Sequence, residues 1–381
     1  MQQEYDVVVT GGGILGCGVA QATAAAGFKT LLIEQNQWGS ATSCSSSKLV
    51  HGGLRYLETT QFSLVRECLE ERDWMLDSFP DLVKPNWFYF PLYRDSTIPP
   101  WKLFWGLSIY QALCGYSRYS RFRRVPRKEW KNLGGLATEG LEAVFAYQDG
   151  QTDDRLLTQR VQQSAEKLGA DCLEGTRLTR AVRFQDGFQV CMTQGKKEHC
   201  LKAQFLVNAT GPWVNHTLSC ISPAIDPLSI ELVQGSHIVL QEQISDHCFY
   251  LQAPTDRRVV FVLPWQGKTL VGTTETPFSG DPKDCKPQEA EINYLTGVLR
   301  HYFPGRNLTI EASFSGLRVL PKSEDRPFFR PRDAILKADK RLVSLYGGKL
   351  TTWRATAEEV LEEIETQLGN RTSINTRMID L

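Results

Sequence analysis

The sequence lacks the cysteine spacings that stabilise small metal-binding or disulfide-rich domains. It contains ten cysteines, but none stands in a C-x-x-C pair and the thiols are scattered over 381 residues. A cluster with metal-ligand spacing and a Ser-His-Asp pattern are missing as well, so we predict no metal site. We expect reduced, buried thiols in a cytoplasmic protein.

An excess of charge of either sign is missing too. The 43 basic and 43 acidic side chains cancel, which argues against nucleic acid as a partner. Residues 7–28 carry no charge, but the run Gly11-Gly12-Gly13 interrupts them, so no membrane span is predicted there. Polar residues at the start lead directly into a predicted strand, which is unlike a signal peptide.

The first 34 residues predict a βαβ unit that binds a dinucleotide. A strand at 6–10 and a small-residue helix at 14–26 enclose a G-x-G-x-x-G motif made by Gly11, Gly13 and Gly16. Free amides at a helix N-terminus attract phosphate. Glu34 ends the next predicted strand, at the distance along the chain expected of a ribose-binding carboxylate.

The later strands and helices predict a discontinuous cofactor domain. We expect an α/β fold in which residues 1–80, 145–220 and 315–381 form a Rossmann-like domain. Residues 81–144 and 221–314 should form an α+β substrate domain on an antiparallel sheet, because apolar and polar residues alternate in several of its segments. A hydroxyl-rich loop at 40–47 interrupts the Rossmann pattern, which favours an extended FAD over a nicotinamide cofactor.

Seven motifs closely resemble those of the FAD-dependent glycerol-3-phosphate dehydrogenases, in the D-amino-acid-oxidase-like superfamily. They span most of the chain and are SSSKLVHGGLRYLE (45–58), NATGPW (208–213), GSHIV (235–239), VFVLPW (260–265), GTT (272–274), SGLR (315–318) and YGGKLTT (346–352). The resemblance implies oxidation of sn-glycerol 3-phosphate to dihydroxyacetone phosphate, with the C2 hydride passing to flavin N5. It also implies a quinone or another electron acceptor. Many members carry a further helical C-terminal domain, which weakens expectations about the acceptor.

The motif residues provide candidates for each part of this chemistry. Arginine meets phosphate oxygens with a planar fork, so Arg55 and Arg318 are candidate substrate ligands, with Tyr56 as a further hydroxyl. His51 and His237 are candidate bases, because an unperturbed histidine pKa near ~6.5 leaves a neutral fraction at working pH. The choice between them stays open.

The remaining candidates concern the cofactor. Lys349 precedes a predicted helix, where an ammonium group would stabilise charge on reduced flavin or contact substrate. The candidate cofactor ligands are Gly11, Gly13, Gly16, Glu34, Thr42, Ser43, Ser47, Thr210, Gly211, Gly348, Lys349, Leu350 and Thr351.

Two other functions compete with this interpretation. An oxidase of a 2-hydroxy acid or an amine would need one arginine for a carboxylate, so the second arginine and the His51 motif argue against it. A flavin-bearing subunit without its own substrate site would not need both arginines and both histidines.

Residues 87–130 combine aromatic and basic side chains. Aromatics at Trp87, Phe88, Tyr89 and Phe90 precede the uncharged run 103–117, and six basic residues follow between 118 and 128. This composition is typical of a segment that lies on an anionic membrane surface. A buried helix with a basic edge is the alternative. The chain resembles a family whose bacterial members are peripheral membrane enzymes that deliver electrons to quinone, so the resemblance implies a peripheral position on the inner face of the cytoplasmic membrane.

Overall fold

The computed structural model describes Glu4–Lys322 and Asp333–Leu381. Its helices are α1 (Ile14–Ala25), α2 (Phe62–Ser78), α3 (Pro100–Leu113), α4 (Asp154–Lys167), α5 (Val214–Ser219), α6 (Glu289–Tyr302) and α7 (Trp353–Leu368). Its strands are β1 (Glu4–Thr10), β2 (Thr30–Ile33), β3 (Leu49–Val50), β4 (Val83–Tyr93), β5 (Phe122–Arg124), β6 (Leu141–Thr152), β7 (Asp171–Leu173), β8 (Thr176–Phe184), β9 (Gly187–Gln194), β10 (Lys197–Asn208), β11 (Ile221–Ser222), β12 (Ile230–Leu240), β13 (Cys248–Gln252), β14 (Val259–Trp265), β15 (Lys268–Gly272), β16 (Thr276–Phe278), β17 (Ile310–Pro321), β18 (Ile335–Ala338) and β19 (Leu342–Tyr346). Within the described residues, no helix combines the length and the apolar character needed to cross a bilayer.

The first unit is assembled from three chain segments, 1–44, 153–233 and 317–381. Its sheet has the order β11-β8-β9-β10-β1-β2-β7, and β19 pairs with both β10 and β18. The contacts of β1 with β2 and β10, and of β10 with β19, are parallel, as in a Rossmann-like fold. Three buried valines of β1, Val7 to Val9, make it a central strand. The predicted discontinuous domain is therefore confirmed as a fold class.

Helix α1 packs closely because it carries small residues. A Cβ atom added to Gly18 would lie 2.7 Å from the Trp353 ring of α7. Gln21 donates a hydrogen bond to Ser164 of α4 at 2.9 Å, in a buried environment. Asp153 accepts a hydrogen bond from the Leu156 amide at the start of α4, so its expected role as an N-cap is confirmed.

The second unit comprises Ser45–Thr152 and Gln234–Gly316. Its sheet has the order β16-β12-β15-β14-β13-β4-β6-β3, with β17 on β12 and β5 on β6. Side chains alternate between two buried faces. Tyr89 and Phe249 belong to a cluster with α6, whereas Phe88 and Tyr250 belong to another with α2 and α3. Helices thus cover both faces of the sheet, which was predicted to be antiparallel but includes a parallel pairing of β4 with β13.

The predicted domain boundaries and these units differ mainly for residues 45–80, and also for the shorter stretches 145–152, 221–233 and 315–316. The sequence places residues 45–80 in the cofactor domain, whereas the structure groups them with the second unit because β3 pairs antiparallel with β6. Residues 323–332 of the predicted third cofactor segment lie outside the described residues.

Two sequence-based expectations are wrong. Cys191 and Cys200 form a disulfide, because the antiparallel register of β9 and β10 places them opposite each other with Cα atoms 4.1 Å apart. Phe88, Tyr89 and Phe90 are at most 7% exposed, since β4 is an inner strand of its sheet. Composition alone could not distinguish these buried aromatics from interfacial ones.

Candidate active site

The turn between β1 and α1 requires its glycines. Gly11 has φ +109°, and a Cβ atom there would lie 2.5 Å from the carbonyl oxygen of Ala209. A Cβ atom on Gly16 would lie 1.8 Å from the carbonyl oxygen of Gly11. At Gly13 an added Cβ would meet only Ser43 Oγ within 4 Å, at 3.1 Å. The turn is therefore tight beneath the helix and open at its N-terminus, where a pyrophosphate group would bind.

Two predicted cofactor ligands already contact this turn. Glu34 accepts hydrogen bonds from the amides of Gly12 (2.6 Å) and Asn36 (2.8 Å). A carboxylate offers about four lone-pair positions, so about two remain for ribose hydroxyls. Ser43 accepts a hydrogen bond from the Ile14 amide at 3.0 Å. Burial raises the pKa of Glu34, and the amide hydrogen bonds only partly oppose that rise.

The C-terminal motif also reaches α1. Gly348 has φ +101°, and a Cβ atom there would lie 2.6 Å from Leu15 Cδ1. Lys349 Nζ lies 2.9 Å from Asp333 Oδ1, and the lysine side chain is only 12% exposed. Leu350 is half-buried, and Thr351 is buried ahead of α7. The structure therefore brings Gly348 to the glycine turn.

Three predicted cofactor residues lie elsewhere in the first unit. Thr42 donates a hydrogen bond to the carbonyl of Leu317 at 2.8 Å, and Thr210 donates to Asn208 at 2.7 Å. Gly211 has φ +53° with open space around it. Asn208 ends β10, which pairs in parallel with β1, so Thr210 and Gly211 follow a strand that neighbours the glycine turn.

In the second unit, Ser47 and His237 come together. Ser47 Oγ lies 2.9 Å from His237 Nε2, although 190 residues separate them. The His237 ring is 2% exposed and stacks on Phe314 with centroids 5.0 Å apart. His237 faces Gly272 across β12 and β15, and a Cβ atom on Gly272 would lie 2.0 Å from His237 Cδ2. A glycine opposite the histidine is therefore required.

A hydrogen-bond network fixes the loop that carries His51. The Gly53 amide donates to His51 Nδ1 at 3.0 Å, so a neutral His51 ring in this arrangement carries its proton on Nε2. The Gly52 amide donates to Asp149 Oδ1 at 3.3 Å. Asp149 also accepts from Tyr110 at 2.9 Å and pairs with buried Arg72 at 2.8 Å. A buried network of this kind restricts the loop to one conformation.

Arg55 lies beside an acidic residue that the sequence analysis missed. Its guanidinium is 3.8 Å from Glu275 Oε1, and the two side chains are 17% and 9% exposed. The ring of buried Tyr56 lies 5.4 Å from the same guanidinium. Burial raises the pKa of Glu58, while Lys102 and Arg55 oppose that rise. Arg55 is therefore held in a partly enclosed, mixed-charge environment.

Arg318 belongs to the first unit and Arg55 to the second. Arg318 lies on β17 and is half-buried.

Lys48 and Asp149 were missed as well. Lys48 is 6% exposed, with φ +60° and Nζ 5.3 Å from the centroid of Phe314. Glu275 directly follows the GTT motif, and Lys48 lies within the longest motif. Their position in or beside a family motif was therefore the sequence signal that could have identified them as site residues. Asp149 had no such signal, because only the fold brings it to the His51 loop.

The interrupted parallel sheet, the glycine turn and the acidic residue after β2 define a dinucleotide-binding oxidoreductase with two units. The residues around the turn fit an ADP-containing cofactor, because the N-terminus of α1 is open and Glu34 keeps acceptor capacity. The chain belongs to the FAD dependent oxidoreductase (DAO) family, whose profile matches residues 6–362. Its cofactor is accordingly FAD.

Known relatives cover nearly the whole chain. The aerobic glycerol-3-phosphate dehydrogenase of Escherichia coli (strain K12) is 36% identical over 375 residues, which is 94% of this chain and 73% of that protein. The D-erythritol 1-phosphate dehydrogenase of Brucella abortus (strain 2308) is 34% identical, covering 94% and 73%. The glycerol-3-phosphate dehydrogenase of Bacillus halodurans, solved with FAD, is similar in fold with a TM-score of 0.77 and 24% identity, covering 100% of this chain and 68% of that one.

Proposed function

We propose that the protein oxidises sn-glycerol 3-phosphate to dihydroxyacetone phosphate. The observation that carries this proposal is the 36% identity to the Escherichia coli aerobic glycerol-3-phosphate dehydrogenase over 94% of the chain. His51, Arg55, Tyr56 and His237 all belong to the second unit, which is consistent with it. Bound FAD would supply the hydride acceptor at N5.

Arg55, with the adjacent Tyr56, is our candidate phosphate ligand in the second unit, and Arg318 is a separate candidate in the first unit. A phosphate monoester carries nearly two negative charges at neutral pH, and a guanidinium meets two of its oxygens at once. Enclosure beside Tyr56 strengthens such a contact, because little water competes for it. Glu275 offsets part of the Arg55 charge, so Arg55 alone would attract an anion less strongly than an arginine without an acidic neighbour.

The proton of the C2 hydroxyl passes to a base, and His51 and His237 remain the candidates. His51 Nδ1 accepts a hydrogen bond from the Gly53 amide, so the neutral ring carries its proton on Nε2. His51 can act as a base at Nε2 only after this hydrogen bond breaks and the ring proton moves from Nε2 to Nδ1. In the present arrangement His51 Nε2 donates instead and would hold the substrate oxygen. For His237, the contact with Ser47 is compatible with either ring tautomer.

The first unit would hold the cofactor. We assign the pyrophosphate to the amides of the turn Gly11 to Gly16, and a ribose to Glu34. Gly348, Leu350 and Thr351 would line the same site, and Lys349 would stabilise negative charge on the reduced cofactor.

We further propose that α3 binds an anionic membrane surface on its cytoplasmic side and that electrons pass to a quinone. Trp101 and Trp105 of α3 are 68% and 61% exposed, whereas Leu103 and Leu107 are buried, and Tyr116 just after the helix is 71% exposed. One side of α3 therefore anchors the helix and the other presents aromatic rings to the surroundings. Basic side chains at 121, 123, 124, 127 and 128 are exposed near it in the sequence. This arrangement suits an interfacial contact.

Anaerobic reduction of the bound flavin tests the reaction. The protein is mixed with glycerol 3-phosphate, D-erythritol 1-phosphate, glycerol, a 2-hydroxy acid and an amino acid, and flavin bleaching is followed by absorbance. We expect glycerol 3-phosphate to reduce the flavin fastest. Faster reduction by D-erythritol 1-phosphate would assign the protein to the reaction of the Brucella relative, and equal rates with glycerol would exclude phosphate recognition.

A further inference from the structure

A single buried carboxylate connects several segments of the second unit. Glu291 is the third residue of α6 and is 4% exposed. It accepts a hydrogen bond from the Gln288 amide at 3.0 Å, which completes a capping box. A capping box alone does not require burial, and many lie on the surface. Burial of this carboxylate therefore needs another explanation.

Four side chains from outside α6 donate to the same carboxylate. The donors are Ser236 Oγ at 2.7 Å, Thr274 Oγ1 at 2.6 Å, Thr276 Oγ1 at 3.0 Å and Gln234 Nε2 at 2.5 Å. Such charge-assisted hydrogen bonds offset the cost of removing a carboxylate from water. Desolvation would raise the pKa of Glu291, but the bonds from Ser236 and Thr274, with others, lower it overall. The group is therefore ionised at neutral pH.

These donors flank proposed site residues. Ser236 directly precedes His237 on β12, and side chains alternate along a strand. The bond that holds Ser236 on one face therefore fixes the His237 ring on the opposite face. Thr274 and Thr276 likewise flank Glu275, whose carboxylate lies 3.8 Å from Arg55. Holding both threonines directs Glu275 away from Glu291 and towards Arg55.

A third segment, which contains Ser315, is linked to Glu291 through the hydroxyl group of Ser236. Ser236 has one hydroxyl proton and donates it to Glu291, so at the 2.8 Å contact with Ser315 it acts as the acceptor. Ser315 Oγ therefore donates to Ser236 Oγ. Ser315 begins the SGLR motif on β17. One carboxylate thus fixes residues in three of the motifs.

We propose that Glu291 is a positioning residue that sets the orientation of His237 and of the Glu275–Arg55 pair for oxidation of a phosphorylated alcohol. In this role it acts through Ser236 and the two threonines. The expected kinetic effect of Glu291 rests on the proposed function. The ordering of segments 234–238 and 272–276 by Glu291 does not depend on which substrate the protein oxidises.

The experiment compares Glu291→Gln and Glu291→Asp with Glu289→Gln in the FAD-bound protein. Glu289 lies in the same first turn but is exposed, so its replacement removes the same charge near the helix N-terminus. For Glu291→Gln we expect kcat/KM for glycerol 3-phosphate to fall by about 10- to 100-fold, the usual effect of removing a group that orients site residues. Glu291→Asp should recover part of this loss, and Glu289→Gln should stay within about twofold of the wild type.

A double-mutant cycle separates positioning from general destabilisation. If Glu291 acts through Arg55, its replacement should reduce the selectivity for glycerol 3-phosphate over glycerol, and this change should be smaller in an Arg55→Lys background. A folded, FAD-bound Glu291→Gln protein with the kinetics and selectivity of Glu289→Gln would overturn the proposal. If Glu291→Gln does not fold, Thr276→Val removes one donor and leaves the carboxylate in place.

Hydrogen exchange distinguishes failure of this proposal from failure of the proposed function. In Glu291→Gln, amides in 234–238 and 272–276 should exchange faster than in Glu289→Gln, while those of β1 should not change. If the wild type does not oxidise glycerol 3-phosphate, the proposed function fails and the exchange data still test the ordering role. Unchanged exchange in both segments would overturn that role.

Discussion

Ser47 Oγ and His237 Nε2 lie 2.9 Å apart. This contact joins the 45–58 motif, which contains Ser47, to strand β12, which carries the candidate base His237. The contact fixes one ring nitrogen, and stacking on Phe314 fixes the ring plane. Of the two candidate bases, His237 is the more firmly held, and His51 is held through its backbone loop.

We predict that replacing the true base by asparagine lowers the rate constant of flavin reduction by about 10²–10⁴. The base must be unprotonated to accept the proton, so wild-type activity should fall on the acid side of the pH profile, and the mutant should lose this limb. Anaerobic stopped-flow measurements between pH 5 and 9 of His51→Asn and His237→Asn test this. His216→Asn is the control, because His216 is exposed. Near-normal rates in both site mutants would shift the role to water or Lys349.

We predict that Arg318→Lys and Arg55→Lys reduce kcat/KM for glycerol 3-phosphate much more than for glycerol. Lysine keeps the charge but loses the planar fork, and charge-assisted hydrogen bonds contribute about 1.5–3 kcal/mol each. The expected loss is therefore about 10- to 150-fold per arginine. Arg66→Lys is the control, since the Arg66 side chain is 68% exposed. Equal losses with both substrates would show that the arginine does not bind phosphate.

Local patterns in the sequence predicted the cofactor turn well because that site is built from neighbouring residues. Gly11, Gly13 and Gly16 lie within one turn, and the strand and helix around them have strong periodicity. The partners of Arg55 and His237 could not be found in this way. Glu275 and Gly272 approach them only through the sheet register, which depends on contacts far apart in the chain. Motif resemblance identified the arginine and the histidine, and its motifs include Ser47 and Gly272, but it did not show that these two residues contact His237.

The aromatic segment shows the same limit. Composition suggested that residues 87–90 lie at a membrane interface, but Phe88 and Phe90 are buried in the core on an inner strand of the sheet. Their placement was decided by the pairing of β4 with β6 and β13, which the sequence does not display locally. The periodicity of α3 was equally uninformative, since apolar residues occupy both its buried and its exposed sides.

We predict that Glu34→Gln weakens FAD binding but stabilises the apoprotein at neutral pH. Burial raises the pKa of Glu34 above its ordinary value, so folding disfavours the ionised carboxylate relative to the unfolded chain. Stability from this group is present below the unfolded-state pKa and is lost as pH rises through the folded-state pKa. The stability difference between Glu34→Gln and wild type should therefore be largest near pH 7 and vanish below about pH 4.

Thermal unfolding of apoprotein at several pH values and titration with FAD measure the two effects. Glu34→Arg should empty the cofactor site, because it places a cation where a ribose hydroxyl needs an acceptor. Glu362→Gln and Glu362→Arg on the exposed side of α7 are matched controls. If Glu34→Arg keeps a full complement of FAD, Glu34 is not a cofactor ligand.

The last prediction is that α3 attaches the protein to anionic membranes. Trp105 is 61% exposed on a helix whose other side is anchored by buried Leu103 and Leu107. In flotation experiments we expect binding to vesicles that contain anionic lipid, weaker binding at high salt, and little binding to neutral vesicles, because surface attraction is screened within about 10 Å at 0.1 M salt.

Substitutions on α3 and on β5 separate the aromatic and the basic contributions. Trp105→Glu should weaken binding at every salt concentration, because it removes apolar contact and adds repulsion. Arg123→Glu with Arg124→Glu should weaken binding mainly at low salt, because salt screens the attraction between exposed basic side chains and anionic lipid. The Arg123–Glu129 pair (2.9 Å) lies at the surface, so its loss should cost little stability. Phe184→Glu is the matched aromatic control, because Phe184 is 59% exposed in the first unit. Lys196→Glu with Lys197→Glu is the matched charge control. Equal weakening by the controls would mean that binding follows overall charge and not α3, and wild-type protein that never floats would favour a soluble electron acceptor.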